Sequence, residues 1–344
     1  MAIRIAINGF GRIGRMILRA FLEARAQDPL AYEDLEFVAI NDLGNAQTNA
    51  HLFKYDSVHG IFPGSVETKE GFLCIDGLNI KTTAIATPSN LPWKELKIDI
   101  VFECSGHFTE RSKAEEHLKA GAQKVLVSAP AEGADLTVVY GVNQNKLKPQ
   151  DQIISNASCT TNCLAPIAFV LDKHIGIERG YMTTIHAFTG DQSLVDSIHK
   201  DLRRARAATL SMIPSTTGAA RAVGLVLPEL KGKLDGTAIR VPVANVSLVD
   251  FTFISKRPVT VEEINEIMKK ASEEKELKGI LDISSLPLVS TDFNHCKASA
   301  TFDTTQTQVV ENTFCRVLAW YDNEWGFSNR MLDTSLAIAK VSQK

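Results

Sequence analysis

Ile3, Ile5 and Ile7 alternate with Arg4 and Ala6, a period of two that predicts a strand running into a glycine turn. Ile13, Met16, Ile17, Ala20, Phe21 and Ala24 then recur at helical spacing. Leu35 to Ile40 reads as a short apolar strand ending at Asn41-Asp42, and Ile100-Val101-Phe102 as another, followed by Ser105-Gly106. Ser112 with Glu115 has the form of a capping box and predicts a helix to about Ala120. Val125-Leu126-Val127, Val138-Val139-Tyr140 and Ile153-Ile154 complete the series. Strands alternating with helices, several as unbroken apolar runs, predict a parallel, doubly wound sheet.

After Ser155 the pattern changes. A helix is predicted from about Cys159 to Lys173, with Leu164, Ile167, Ala168 and Leu171 on one face; Pro166 should kink it. Alternating strands follow at Tyr181–His186, Ile239–Val241, Val246 through Phe253, and Phe314–Tyr321. Between them lies a helix capped by Thr260 and Glu263. Long alternation with few helices predicts an α+β domain with a mostly antiparallel sheet. The expected boundaries are therefore residues 1–158 for a Rossmann-type domain and 159–322 for the second, with a final helix in 323–344 packing back on the first.

Length agrees with this division: 344 residues suggest about two domains. Hydrophobic residues at 44% and charged residues at 22% place the chain among globular proteins. Lys plus Arg total 37 against 40 Asp plus Glu, a balance of −3, which argues against a general nucleic-acid or anionic-membrane coat. No apolar run approaches the ~18 residues of a membrane span, and the first residues do not resemble a signal peptide. Six sparse cysteines suit a reducing cytoplasm better than a disulfide scaffold.

Gly9, Gly11 and Gly14 form G-x-G-x-x-G between a predicted strand and helix, the context in which backbone amides at a helix start receive a pyrophosphate. Asp42, at the end of the second strand, is placed to hold ribose hydroxyls; a plain turn and a surface Asp are the alternative. Cys159 lies at a predicted helix N-terminus, which favours a thiolate. An inert cysteine, a metal half-site with Cys163, or a redox pair are the competing readings. The metal reading lacks partner ligands, and the other histidines form no metal-ligand pattern. His186 ends a strand and is either structural or a partner base. Lys200, Arg203, Arg204 and Arg206 are either a solvated run or, with Thr217-Gly218 and Arg240, donors for phosphate groups.

Several segments together resemble the glyceraldehyde-3-phosphate dehydrogenase family, from Ile3 to about Ala339. They are Ile7 through Arg15, Lys54 through Gly60, Ser155 through Pro166, Pro214 through Ala220, Arg240-Val241-Pro242 and Trp320 through Gly326. The resemblance implies a nucleophilic thiol at Cys159 and its base at His186. It places NAD on Arg12, Ile13, Asp42, Lys81, Ser128 and Asn323. Ser158, Thr160, Thr217 and Gly218 would receive inorganic phosphate. Thr189, Arg204 and Arg240 would hold the substrate's phosphate or the attacking one. A small-molecule substrate, no metal, no membrane, no dedicated nucleic-acid site and a homotetramer are likewise implied. Ser197-Ile198 stands where NAD-specific bacterial members usually carry Leu-Pro, so discrimination against NADP should be weaker than usual, although Asp42 would repel a 2′-phosphate. Val243-Ala244, where Thr-Pro is common, has no evident functional consequence. The rivals are an erythrose-4-phosphate dehydrogenase, which Thr216-Thr217-Gly218 disfavours, and a binding protein without catalysis.

Overall fold

The computed structural model describes residues 2–342. They divide into two compact units, 2–138 with 144–157 and 328–342, and 139–143 with 158–327.

In the first unit, β1 (Ile3–Asn8) leads through the glycine turn into α1 (Arg12–Gln27) and β2 (Leu35–Asn41). The apolar stripe of α1 is buried at Met16, Ile17, Ala20 and Phe21. Then come α2 (Ala46–Lys54), a small hairpin of β3 (Tyr55–Asp56) and β4 (Gly60–Ile61), and β5 (Val66–Lys69), β6 (Phe72–Ile75) and β7 (Leu78–Thr83). The unit continues with β8 (Ile100–Glu103), α3 (Arg111–Lys119), β9 (Lys124–Val127), β10 (Leu136–Thr137) and β11 (Ile153–Ser155). The sheet order is β10-β11-β9-β8-β1-β2-β7-β6-β5. It is parallel from β10 to β7, and β6 and β5 extend it as an antiparallel meander. β8 and β9 are buried throughout, which explains their unbroken apolar runs.

Two segments of this unit depart from the sequence pattern. The helix after β8 begins at Arg111, with Glu110 rather than Ser112 in the capping position and no side-chain cap bond. Val138-Val139-Tyr140 is not a strand: Val138 N still donates to Ser155 O at 2.8 Å, but Val139 N turns to Asn143 Oδ1.

The second unit opens with α4 (Cys159–Ile175), which runs unbroken through Pro166, and β12 (Ile177–Ala187). It continues with β13 (Ile213–Thr216), α5 (Ala219–Val226), β14 (Leu234–Val241), β15 (Ser247–Ser255) and α6 (Val261–Glu273). Thr260 caps α6 as expected. The remaining strands are β16 (Leu281–Ser284), β17 (Ala300–Asp303), β18 (Gln308–Val310) and β19 (Phe314–Tyr321). Their sheet runs β13-β14-β12-β15-β19-β17-β16, with β18 on β19. It is mostly antiparallel, with parallel pairs at β12–β14 and β16–β17. β15 alternates buried and half-buried residues along its whole length, and α4 packs on β12, β15, β17 and β19. The last helix, α7 (Trp325–Ser342), starts in this unit, and its residues from Ser328 group with the first.

Candidate active site

In the first unit the turn after β1 is built for close approach. Gly9 has φ +91°, and a Cβ there would come 2.5 Å from Ser105 N. A Cβ at Gly14 would overlap the Gly9 carbonyl oxygen, so α1 passes too near for any side chain. Gly11, which caps α1, differs: a Cβ there would meet nothing within 4 Å. Among the described residues no atom requires glycine at that point, whereas a pyrophosphate brought to the α1 amides of Arg12 and Ile13 would.

Asp42 follows β2, and its carboxylate accepts from Phe10 N and Gly44 N, each at 2.8 Å. It lines a cleft with Phe10, Ile40, Asn45, Asn49 and Thr83. The Arg12 guanidinium pairs with Asp56; burial raises the Asp56 carboxyl, but Arg12 and the amides of His59 and Val58 outweigh it and bring it down to about 2. Lys81 does not line the cleft, and its Nζ lies 3.9 Å from Glu95. Ser128 follows β9, its N–H bonded to Glu103 O at 3.0 Å. Asn323 belongs to the second unit, where its Oδ1 accepts from Ser247 Oγ at 2.8 Å.

In the second unit Cys159 is the first residue of α4. Ser158 caps that helix, its Oγ accepting from Thr161 N at 3.0 Å. β12 carries His186 to the same place, with Nε2 3.5 Å from Cys159 Sγ. His186 Nδ1 lies 2.7 Å from Ala187 O, which only accepts; the tautomer with its hydrogen on Nδ1 turns an Nε2 lone pair to the thiol. Arg240, on the neighbouring β14, brings Nη1 within 2.9 Å of His186 Nδ1, 3.1 Å of Ala187 O and 3.4 Å of Thr189 Oγ1. Arg240 Nε is buried and finds no acceptor among the described residues, a donor suited to an anionic ligand.

Burial and the Arg240 charge bring His186 down to about 3, so its imidazole is neutral. Burial pushes the Cys159 thiol up, while Arg240, the Thr160 hydroxyl and the α4 amides pull the other way. Cys163, one turn further along, is completely buried, and that burial pushes its thiol well above the ordinary range.

Arg204 is fixed by Ser215 Oγ, at 2.9 Å from Nε and 2.6 Å from Nη2, and by Asp191 at 2.6 Å. Burial opposes ionisation of Asp191, but the Thr189 hydroxyl, Arg240 and Arg204 hold its carboxyl below the usual range. Thr217 Oγ1 accepts from Ala219 N at 3.1 Å, and Gly218 caps α5. Thr161 Oγ1 joins the starts of α4 and α5 through Ala219 O at 3.4 Å.

Sequence reading missed Tyr321. Its hydroxyl bridges Thr160 Oγ1 at 2.8 Å and Thr184 Oγ1 at 2.9 Å, and its ring meets His186 edge-on at 5.9 Å. It lies inside one of the segments that carried the resemblance, but an alternating strand does not show which aromatic turns toward the site. Ser215 and Asp191 were missed as well; only the fold brings them to Arg204.

The family described as "Glyceraldehyde 3-phosphate dehydrogenase, NAD binding domain" matches residues 3–111, and its C-terminal-domain counterpart matches 158–323. The glyceraldehyde-3-phosphate dehydrogenase of Xanthobacter flavus is 59% identical over 99% of this chain and 100% of its own length. The chain belongs to the glyceraldehyde-3-phosphate dehydrogenase family. A plasmid-borne glyceraldehyde-3-phosphate dehydrogenase from Cupriavidus necator (58%, covering 98% of this chain and 99% of its own) and one from Zymomonas mobilis (57%, covering 99% and 100%) are similarly close. The first unit thus carries the family's NAD-binding domain, and the chain is an oxidoreductase of the glyceraldehyde-3-phosphate dehydrogenase family. Among the described residues no helix is long and apolar enough to cross a membrane. Nor does any group of three His, Cys, Asp or Glu side chains among them form a metal site.

Proposed function

We propose that the chain oxidises D-glyceraldehyde 3-phosphate to 1,3-bisphosphoglycerate with NAD and inorganic phosphate, through a thioester on Cys159. The observation that carries this reading is the 3.5 Å approach of Cys159 Sγ to His186 Nε2 at the head of α4. His186 takes the thiol proton, and the sulfur attacks the aldehyde carbon. The imidazolium returns its proton to the new oxyanion, giving a hemithioacetal. His186 then accepts the hydroxyl proton as hydride leaves the carbon, and the carbonyl re-forms as a thioester. NAD, when bound, supplies the hydride acceptor. Gly9, Gly11, Gly14, Arg12, Ile13 and Asp42 would hold its adenosine and pyrophosphate, with Lys81, Ser128 and Asn323 as further contacts.

Arg240, with its unpartnered Nε, and Arg204, held by Ser215 and Asp191, serve the two phosphate groups, together with Ser158, Thr160, Thr189, Thr217 and Gly218. A phosphate oxygen displaces the Cys159 thiolate from the acyl carbon, giving the acyl phosphate. Asp42 favours NAD, and Ser197 leaves some use of NADP.

The protein works as a homotetramer in the cytoplasm. Leu194, Val195, Ile198, Leu202, Leu210 and Met212 are all more than two-thirds exposed within one stretch of the single chain, and they support burial against a second copy. NADH formation from glyceraldehyde 3-phosphate with and without phosphate tests the reading. Turnover that requires phosphate supports it. Phosphate-indifferent turnover, or a preference for erythrose 4-phosphate, overturns it.

A further inference from the structure

The carboxyl ends of β7, β2, β1 and β8 carry one row of hydrogen-bonded side chains, half-buried at Thr83 and buried from Asn41 to Glu103. Thr83 Oγ1 donates to Asn41 Oδ1 at 2.9 Å, Asn41 Nδ2 to Asn8 Oδ1 at 2.7 Å, and Asn8 Nδ2 to Glu103 Oε2 at 2.6 Å. His117 of α3 places Nε2 2.9 Å from the same Glu103 oxygen, and Trp93 Nε1 lies 3.1 Å from His117 Nδ1. Asn8, Asn41 and Glu103 each end their strand, directly before the turns that carry Gly9, Asp42 and Ser105.

The direction of every bond in this row is set from its two ends. At one end the Ile85 backbone donates to Asn41 Oδ1 and accepts from Asn41 Nδ2, both at 2.9 Å, which locks that amide. Asn8 must then turn its oxygen to Asn41 and its NH2 to Glu103. At the other end an indole N–H only donates, so His117 Nδ1 accepts and Nε2 brings a second hydrogen to Glu103. Ser105 N–H is a third donor, 2.8 Å from Oε1, with the Ser105 hydroxyl beside it. Three sets of donors converge on one side chain, and only a pure acceptor satisfies them all. A glutamine in any orientation would set its NH2 against the Ser105 amide, or against Asn8 and His117.

We infer that Glu103 is a positioning residue for the dinucleotide site. At 1% exposure it acts through its neighbours. It ties Ser105, the residue on which Gly9 rests, to the end of β1 and to α3. The inference rests on the NAD-binding assignment of this unit.

The test is Glu103→Gln in the full chain, with NAD and ADP-ribose affinities measured by calorimetry alongside kcat, KM and the thermal midpoint. Leaving a buried donor opposed should weaken both ligands about tenfold or more, with kcat at saturating NAD falling less than affinity. A purely structural role would lower the midpoint and leave affinity alone. Adding Trp93→Phe removes the indole donor, lets His117 carry its hydrogen on Nδ1 and accept from the glutamine amide, and so restores part of the affinity. Nitrogen-15 NMR of His117 should show hydrogen on Nε2 in wild type and on Nδ1 in the double variant. If Glu103→Gln does not accumulate folded, His117→Ala, which removes one donor, should give the same split at about threefold. Unchanged NAD affinity in the folded variant, or an Nδ1–H His117 in wild type, would overturn the inference. A wild-type chain that failed to bind NAD would overturn the assignment beneath it as well.

Discussion

His186 links the site to the stability of the chain through pH. Its imidazole is 4% exposed and titrates at about 3, against an ordinary value of 6.5. Between these values the unfolded chain carries a proton that the folded chain refuses, so stability falls as pH drops from 6.5 toward 3. Near pH 7 the penalty is only a few tenths of a kcal/mol; by pH 5 it is about 2 kcal/mol, and the full shift would correspond to about 5. His186→Asn keeps a donor for Ala187 O and does not titrate. Urea midpoints at pH 7 and pH 5, at fixed protomer concentration, should show wild type losing about 2 kcal/mol more than the variant across that interval. Subtracting the variant cancels every other titrating group to first order. Equal losses, or a larger loss in the variant, would show that His186 is not held neutral by burial and Arg240. Arg240→Met removes the repelling charge and should raise the His186 pKa, which carbon-13 NMR of labelled histidine would follow directly.

The glycine turn separates packing from ligand binding. Gly14→Ala should destabilise the chain by several kcal/mol, because its Cβ has no room. Gly11→Ala should keep the melting temperature within about 2 °C and weaken ADP-ribose binding about tenfold or more, as read by differential scanning and titration calorimetry. Tyr321→Phe leaves the Thr160 and Thr184 hydroxyls without their bridge and should cost about 1–3 kcal/mol of stability, with a lower kcat. Asp42→Asn removes a charge but keeps one acceptor for the amides of Phe10 and Gly44; the ratio of kcat/KM for NADP over NAD should rise about tenfold.

The first unit was legible where burial wrote an unmixed signal. β1 and β8 are flanked on both sides by other strands, so their apolar runs stood out, and Gly9 and Gly14 of the G-x-G-x-x-G turn followed as steric necessity. The meander β5–β7 escaped notice because its strands are short and mix exposed, half-buried and buried positions. The Asp76-Gly77 pair, both at positive φ, was the hairpin signal to read there. Pro166 misled in the other direction, since tertiary packing keeps α4 continuous around it. Cys159 and His186 could each be suspected from local pattern, but their approach is a property of α4 and β12 together, and Tyr321, Ser215 and Asp191 join the site only through long-range pairing.

The proposed chemistry stands on Cys159 as the carrier of the acyl group. Mixing the NAD-loaded enzyme with glyceraldehyde 3-phosphate in the absence of phosphate, then quenching in acid for peptide mass spectrometry, tests this most directly. A burst of about one NADH per subunit, with a phosphoglyceryl group on Cys159 in wild type and neither in Cys159→Ser, is the predicted result. An acyl group on another residue, or a burst that survives in Cys159→Ser, would contradict it.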